Sequence, residues 1–432
     1  MRVRKRVTRR GFLKGLAAGA AGAPYVLTSP VLAAPGRRGA NDRIQIANIG
    51  VRNMGGGHLK TLLGDPNVQV VAVCDVDRKI REAGVKRAEA AYAQRTRAGA
   101  FRGTVGCNDF RAVMAREDID AVVIATPDQW HAPLSVAAME SGKDVYVEKP
   151  MTLTIEEGRV MAQVAERYGR VLQVGSQRRS GSRNRRACEL VRNGRIGKLL
   201  RVECGVPIRP AGALSWKPQP PPPELDYDLW LGPAPWQPYH PMRCHYNFRF
   251  VRDYSGGEMT NFGAHYFDIA QWGIGADGSG PVEIVGKGEY HAEGLWDTFH
   301  HVHVEYTYAG GEKLLVRNGG GTRFVGTEGW IDADSLRCRP ASIATSRIGP
   351  DGIHLYRSDG SHMGNFLRCM RTRQRTAATV EIGHRSATVC HLGNLAMILQ
   401  RKLTWDPVKE EFPGDDEANR MRWRPYRSPW HL

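Results

Sequence analysis

Four short runs of mostly β-branched apolar residues, at 44–50, 68–75, 121–126 and 144–147, constrain the fold of this chain most, because helical stretches separate them. A strand buried on both faces loses the polar–apolar alternation of a half-exposed one. Continuous runs spaced by helices therefore predict a parallel sheet covered on both sides. Right-handed crossovers bring the loops that follow such strands to one edge of the sheet, where these folds bind ligands.

The residues expected at that edge are chemically coherent. The first run ends at Gly50 and enters a turn through Val51, Arg52, Asn53, Met54 and Gly55. Gly50 and Gly55 fit the first and third glycines of a dinucleotide fingerprint. Arg52 stands at the second, so its side chain must turn aside, onto a phosphate oxygen, or the cofactor must sit farther out. Asp75, at the end of the second run, lies where a carboxylate meets the ribose 2′-hydroxyl, which favours NAD. Arg78 nearby leaves NADP open. Thr126, Pro127, Glu148 and Lys149 reach the same edge, and His131 is expected to brace the cofactor loop. An ammonium at Lys149 could handle the proton of an alcohol while a nicotinamide takes the hydride. A capping box at Thr154 and Glu157 starts a helix reaching about Tyr168, and a strand at 171–175 follows. The predicted division is a dinucleotide-binding domain at 41–175 and a second α/β domain at 176–432.

In that second part, segments at 199–204, 282–286, 301–308 and 313–317 alternate as a sheet with one covered face would. A proline-rich stretch at 217–223 is stiff and extended; the aromatics from 230 to 250 could stack on sugar rings, but most are read as pinning a long loop to the scaffold. Residues 255–272 carry the other half of the chemistry. Thr260 or Asn261 is a candidate helix cap. Asn261, His265, Asp268 and Trp272 then share one helix face. His265, with an ordinary histidine pKa near 6.5, is the expected acid/base, and Arg178 is expected to reach the cleft from the domain junction.

The first residues read as an address. Arg9 and Arg10 begin a twin-arginine motif, an apolar small-residue run follows, and residues 32–34 offer a cleavage site. Export of the folded protein to the periplasm is expected, with no stable membrane insertion after cleavage of residues 1–34. Setting that segment aside lowers the formal charge from +17 to about +10. The remaining excess is dispersed, which does not favour nucleic acid and suits an anionic partner equally well. The eight cysteines form no C-x-x-C pair, so buried free thiols and no metal site are expected.

With these motifs in order, nearly everything after residue 41 resembles the glucose–fructose oxidoreductase / inositol dehydrogenase / MocA family. The resemblance rests on the glycine turn, Cys74 to Asp77, Ala125 to Pro127, Glu148 to Pro150, and Gly256 and Gly257 followed by Asn261, Gly263 and His265. The leader and the run Gly383 to Ala387 are most like those of exported members. The resemblance implies a Rossmann domain, a second domain with an open and largely antiparallel sheet, self-association through it, and NAD(P)-dependent chemistry on sugars, cyclitols or related polyols. It makes Lys149 the catalytic lysine and His265 the catalytic histidine. Asn261 stands where the family has aspartate, so a Lys–Asp–His relay is incomplete; Asn261 would orient His265 or bind a substrate hydroxyl, and restoring aspartate is expected to raise activity. The leading expectation is oxidoreduction at a secondary alcohol. Two alternatives are a glycoside-cleaving enzyme that uses its NAD transiently and a carbohydrate-binding protein without activity.

Overall fold

The computed structural model describes residues 43–97, 101–209, 212, 215–358 and 360–432, so the expected leader lies outside the described residues. The apolar runs form the parallel strands β1 (Ile44–Ile49), β2 (Val68–Cys74), β4 (Ala121–Ile124), β5 (Asp144–Val147) and β6 (Leu172–Val174). A further strand, β3 (Val105–Cys107), was not anticipated: it is three residues long, carries a central glycine and buries only Cys107. The sheet order is β3-β2-β1-β4-β5-β6. Order reverses beside β1, leaving a crevice at the strand ends between β1 and β4. Helix α1 (Asn53–Leu63) leaves the β1 turn, and α2 (Arg78–Arg97), α3 (His131–Glu140) and α4 (Ile155–Arg167) complete the crossovers. The predicted capping box is present, with Thr154 and Glu157 bonded reciprocally.

The second sheet has eight strands in the order β13-β12-β11-β7-β10-β9-β8-β14. These are β7 (Leu199–Val206), β8 (Glu283–Glu289), β9 (His301–Thr307), β10 (Lys313–Asn318), β11 (Thr322–Gly326), β12 (Trp330–Asp332), β13 (Cys338–Arg339) and β14 (Leu403–Thr404). Among the described residues of this sheet, only β7 and β10 pair in parallel. Exposure alternates along β9, so one face is buried and the other open. Helices α5 (Ser182–Arg192), α6 (Gly263–Ile274) and α8 (Val380–Leu399) supply residues of the core on the covered face.

Chain order and core membership part company near the C-terminus. Helix α7 (His362–Thr372) puts Met363, Phe366, Leu367 and Met370 into the core of the first sheet, and the amide of Val174 donates to the Ala378 carbonyl at 2.9 Å. The aromatic stretch pins its loop as expected. Tyr227, Trp230, Tyr239, Phe248 and Tyr254 make a satellite core, and Trp130 Nε1 donates to the Leu229 carbonyl at 3.0 Å. The loop also meets the end of β2, where the Arg78 amide donates to the Glu224 carbonyl at 2.9 Å. All eight cysteines are free and seven are buried.

Candidate active site

The β1 turn needs its glycines for two different reasons. Gly50 has φ +78, and a Cβ there would lie 2.7 Å from the Ala125 carbonyl oxygen. A Cβ on Gly55 would come within 1.9 Å of the Gly50 oxygen, so the first turn of α1 can close only on a glycine. Arg52 is extended at φ −87 and exposed, and its charge reaches His245. Asp75 is committed in part to the protein: its carboxylate accepts from the Val51 amide at 2.9 Å and the Asp77 amide at 3.0 Å. It thereby ties the end of β2 to the glycine turn, and burial raises its pKa against those bonds.

Gly50, Arg52, Asn53, Met54, Asp75, Thr126, Pro127, His131, Glu148 and Lys149 all line one cleft, open to solvent. Leu225, Trp230, His245, Phe248 and Arg249 form the opposing wall, which places the aromatic loop over the crevice. On the sheet side, just after β4, Thr126 Oγ1 is buried without a hydrogen-bond partner. Such an atom is costly to leave unsatisfied, and the cleft is where a ligand would meet it. An exposed helix N-terminus, two obligatory glycines and the ribose-side carboxylate therefore suit a dinucleotide.

His131 braces the loops as predicted. Its ring nitrogens lie 2.7 Å from the Pro150 oxygen and 3.0 Å from the Thr126 oxygen. Glu148 lines the cleft, but its carboxylate is already engaged, 2.7 Å from both His58 Nε2 and Gln177 Nε2. Burial opposes its ionisation, yet the His58 bond and the charge of Lys149 hold its pKa below the ordinary value.

Lys149 joins the two halves of the molecule. Its Nζ donates to the Asn261 carbonyl at 2.8 Å and to Asn261 Oδ1 at 3.0 Å. A short turn, Glu258–Asn261, leads through Phe262, itself in helical conformation at φ −84 and ψ −34, into α6. Cations meet the predicted face along its length: Asn261 accepts from Lys149, His265 lies in the field of Lys149 and Arg178, and Asp268 bonds Arg179, 2.8 Å from its Nε, and Ser386 Oγ, 2.7 Å away, with the Arg179 guanidinium 5.0 Å from the Trp272 ring centroid. Neither Thr260 nor Asn261 caps the turn: Gly257 stands at that position, and Thr260 Oγ1 accepts from the Gly256 amide at 3.1 Å.

His265 requires a second correction. Burial, and then the charges of Lys149 and Arg178, push its pKa down to about 3, so it is a neutral imidazole rather than one poised near 6.5. Its Nδ1 is buried and unpartnered. It lies in the field of Lys149 without itself lining the dinucleotide cleft. Arg178 stands at the junction, paired with Asp334 and stacked 4.6 Å from the Tyr266 ring centroid.

The sequence reading missed three groups. Asp128 is buried and hydrogen-bonded to Ser255 Oγ at 2.5 Å. Arg249 lines the cleft with its Nε 3.4 Å from Asn261 Oδ1. Glu258 is buried beside the Asn261 amide, with Oε2 3.1 Å from Nδ2. The only available signals were adjacency for Asp128, one residue past Pro127, and the three-residue step from Glu258 to Asn261. Away from the cleft, Glu289, His300 and His301 bring ligand-type atoms within 4.8 Å of one another, a grouping also not foreseen.

A six-stranded parallel sheet with a glycine turn at its switch point, facing a lysine tethered to a second α/β unit, defines a two-part dinucleotide-binding protein. The chain belongs to the Gfo/Idh/MocA oxidoreductase family: residues 44–176 match the family's NAD-binding Rossmann fold, and residues 208–432 match its C-terminal alpha/beta domain. Among curated proteins, a glycosyl hydrolase family 109 protein of Shewanella sp. (strain W3-18-1) is 33% identical over 162 residues, 38% of this chain and 34% of that protein. The chain thus spans about a third of the length of the curated relatives it matches. The fold is shared with an NAD-binding protein from Listeria innocua (TM-score 0.59, 19% identity, 84% of this chain and 97% of that one). It is shared too with the WlbA dehydrogenase from Bordetella pertussis in complex with NADH and UDP-GlcNAcA (TM-score 0.61, 16% identity, 84% and 99%).

Proposed function

We propose that this protein is an NAD-dependent oxidoreductase acting at a secondary alcohol, or the matching ketone, of a sugar, cyclitol or glycoside. The observation that carries the reading is Lys149, which lines the dinucleotide cleft and is tethered across it to Asn261. The α1 amides and Arg52 would hold the pyrophosphate, Asp75 the ribose, and Thr126 and Pro127 the nicotinamide side. Bound NAD+ would accept a hydride from the carbinol carbon. Lys149 takes the hydroxyl proton, so alcohol and NAD+ become ketone, NADH and one proton. Burial first, and Arg249 among its neighbours, lower the Lys149 pKa, so the free amine is reached more easily than in water. Neutral His265, with an unpartnered Nδ1 and within the field of Lys149, would serve as a hydrogen-bonding partner for the substrate. Arg78, exposed just past Asp75, leaves NADP as a second cofactor.

The test is to purify the protein, identify any nucleotide it carries, and follow reduced-nicotinamide absorbance with a panel of sugars, glycosides and cyclitols. Cofactor binding with neither an absorbance change nor cleavage of any glycoside sinks the enzymatic reading. The names of the Shewanella relatives favour a second reading, in which oxidation is transient and a glycosidic bond is cleaved. Glycoside cleavage without net NADH would select it. The twin-arginine motif at Arg9 and Arg10 supports export to the periplasm, and the open face of the second sheet supports self-association.

A further inference from the structure

An amide stands at 261 where the family resemblance calls for a carboxylate, and a buried carboxylate stands one helical turn earlier. We propose that the acid of this site has moved rather than vanished: Glu258 is a positioning residue that acts through the Asn261 amide to orient Lys149 and supply its counter-charge. The proposal deepens the oxidoreductase reading and rests on Lys149 being its proton-handling group.

The bonding pattern allows one arrangement. Glu258 is 3% exposed, and a buried carboxylate is tolerated only with partners. Arg209 Nε donates to Oε1 at 2.6 Å, and Asn261 Nδ2 donates to Oε2 at 3.1 Å. That second bond decides which way the amide faces. Its carbonyl oxygen must then turn to the cations, and it does, accepting from Lys149 Nζ at 3.0 Å and Arg249 Nε at 3.4 Å. A flipped amide would set its NH2 against two cations and its oxygen against a carboxylate. With the main-chain oxygen of Asn261 at 2.8 Å, two of the three ammonium hydrogens are placed, leaving one for the cleft that Lys149 lines.

Aspartate at 261 would not improve this site. It would bring a second carboxylate to hydrogen-bonding distance of Glu258, and two like charges that close cannot both stay ionised. The expectation that Asn261→Asp raises activity is therefore reversed. Exchanging both residues is different. In Glu258→Gln with Asn261→Asp, the new amide oxygen accepts from Arg209, the new NH2 donates to Asp at 261, and that carboxylate accepts from Lys149. Every hydrogen bond survives, and the site keeps one negative charge. The other titratable groups around Lys149 are Glu148 on its own loop, Asp128 after β4, Arg249 from the turn His245–Phe250, and neutral His265 at the start of α6. None of those carboxylates bonds to Nζ directly, so they do not replace the link from Glu258.

The test compares wild type, both single variants and the double exchange in two assays. One is the pH profile of Lys149 acetylation by acetic anhydride, read by mass spectrometry of its peptide. The other is NAD+ reduction with methyl α-glucopyranoside and myo-inositol. Losing the Glu258 charge should raise the acetylated fraction near neutral pH by roughly five- to tenfold, a shift of up to about one pKa unit. Asn261→Asp should lower it, and the double exchange should return to within about twofold of wild type. Turnover, where seen, should fall in each single variant and recover in the double, with NAD affinity unchanged. Wild-type labelling in Glu258→Gln, higher turnover in Asn261→Asp, or a double variant no closer to wild type than the singles would each overturn the proposal. A double variant that fails to fold does so too, since it retains all the invoked bonds. The two assays also separate the two claims: the expected labelling without NAD+ reduction upholds the role of Glu258 and removes the oxidoreductase reading.

Discussion

Burial holds the Lys149 amine below the usual lysine range, with Glu148, Asp128 and Glu258 opposing that effect and Arg249 adding to it. The sign of the pH dependence follows. Oxidation needs the free amine, so its rate should rise with pH and level off below the pKa of an ordinary lysine, while ketone reduction should fall over the same window. A flat profile through that range would remove Lys149 as the base. Lys149→Ala should lower kcat by roughly a hundred- to ten-thousandfold, the usual worth of positioned acid–base catalysis. Its affinity for NAD, measured calorimetrically, should be unchanged, because the glycine turn and Asp75 do not depend on it. His265 shows why residue type alone misleads: a histidine on an amphipathic helix reads as an acid/base near neutrality, but packing takes its pKa down to about 3.

Among the elements, the segment from Gly256 to Ile274 follows its sequence pattern. Spacing of four, seven and eleven residues predicts one face, and the backbone stays helical through Phe262, so that Asn261 reaches Lys149 and Asp268 reaches Arg179. That ion pair is almost fully buried, with side chains 2% and 1% exposed, and Asp277 adds a second carboxylate at 2.7 Å. Removing one partner of such a pair leaves a charge without compensation. Asp268→Asn should therefore cost about 3–5 kcal/mol of unfolding free energy by denaturant titration. A loss below about 1 kcal/mol would mean that Asp277 alone satisfies Arg179.

At the scale of the whole molecule, α8 holds the two sheets in register. Ser386 on α8 bonds Asp268 on α6. Glu381, also on α8, and Glu410 both take Arg159 from α4 at 2.7–3.1 Å, and His384 meets Glu410 at 2.7 Å. Burial opposes ionisation of Glu410, but the bonds from Arg159 and His384 outweigh it and depress its pKa well below the usual range. A depressed folded-state pKa contributes stability above the unfolded value, near 4.3, and loses it as pH falls toward the folded one. The denaturant midpoint should thus drop below about pH 4.3. Glu410→Gln should flatten that slope and cost about 3 kcal/mol at neutral pH; an unaltered acid slope would place the sensitivity elsewhere.

The first sheet, its glycine turn, the capping box at Thr154 and the position of Lys149 were legible in the chain, because each depends on neighbours a few residues away and on strand or helix periodicity. β3 was not, being too short and too exposed to show a pattern. Asp128, Arg249 and Glu258 acquire their meaning only when β4, the loop at 245–250 and the turn at 258–261 converge on one amine. Which acid serves that amine, and whether an imidazole is charged, are questions of desolvation and of distances across more than a hundred residues. Local pattern carries no information on either; the packed structure supplies both.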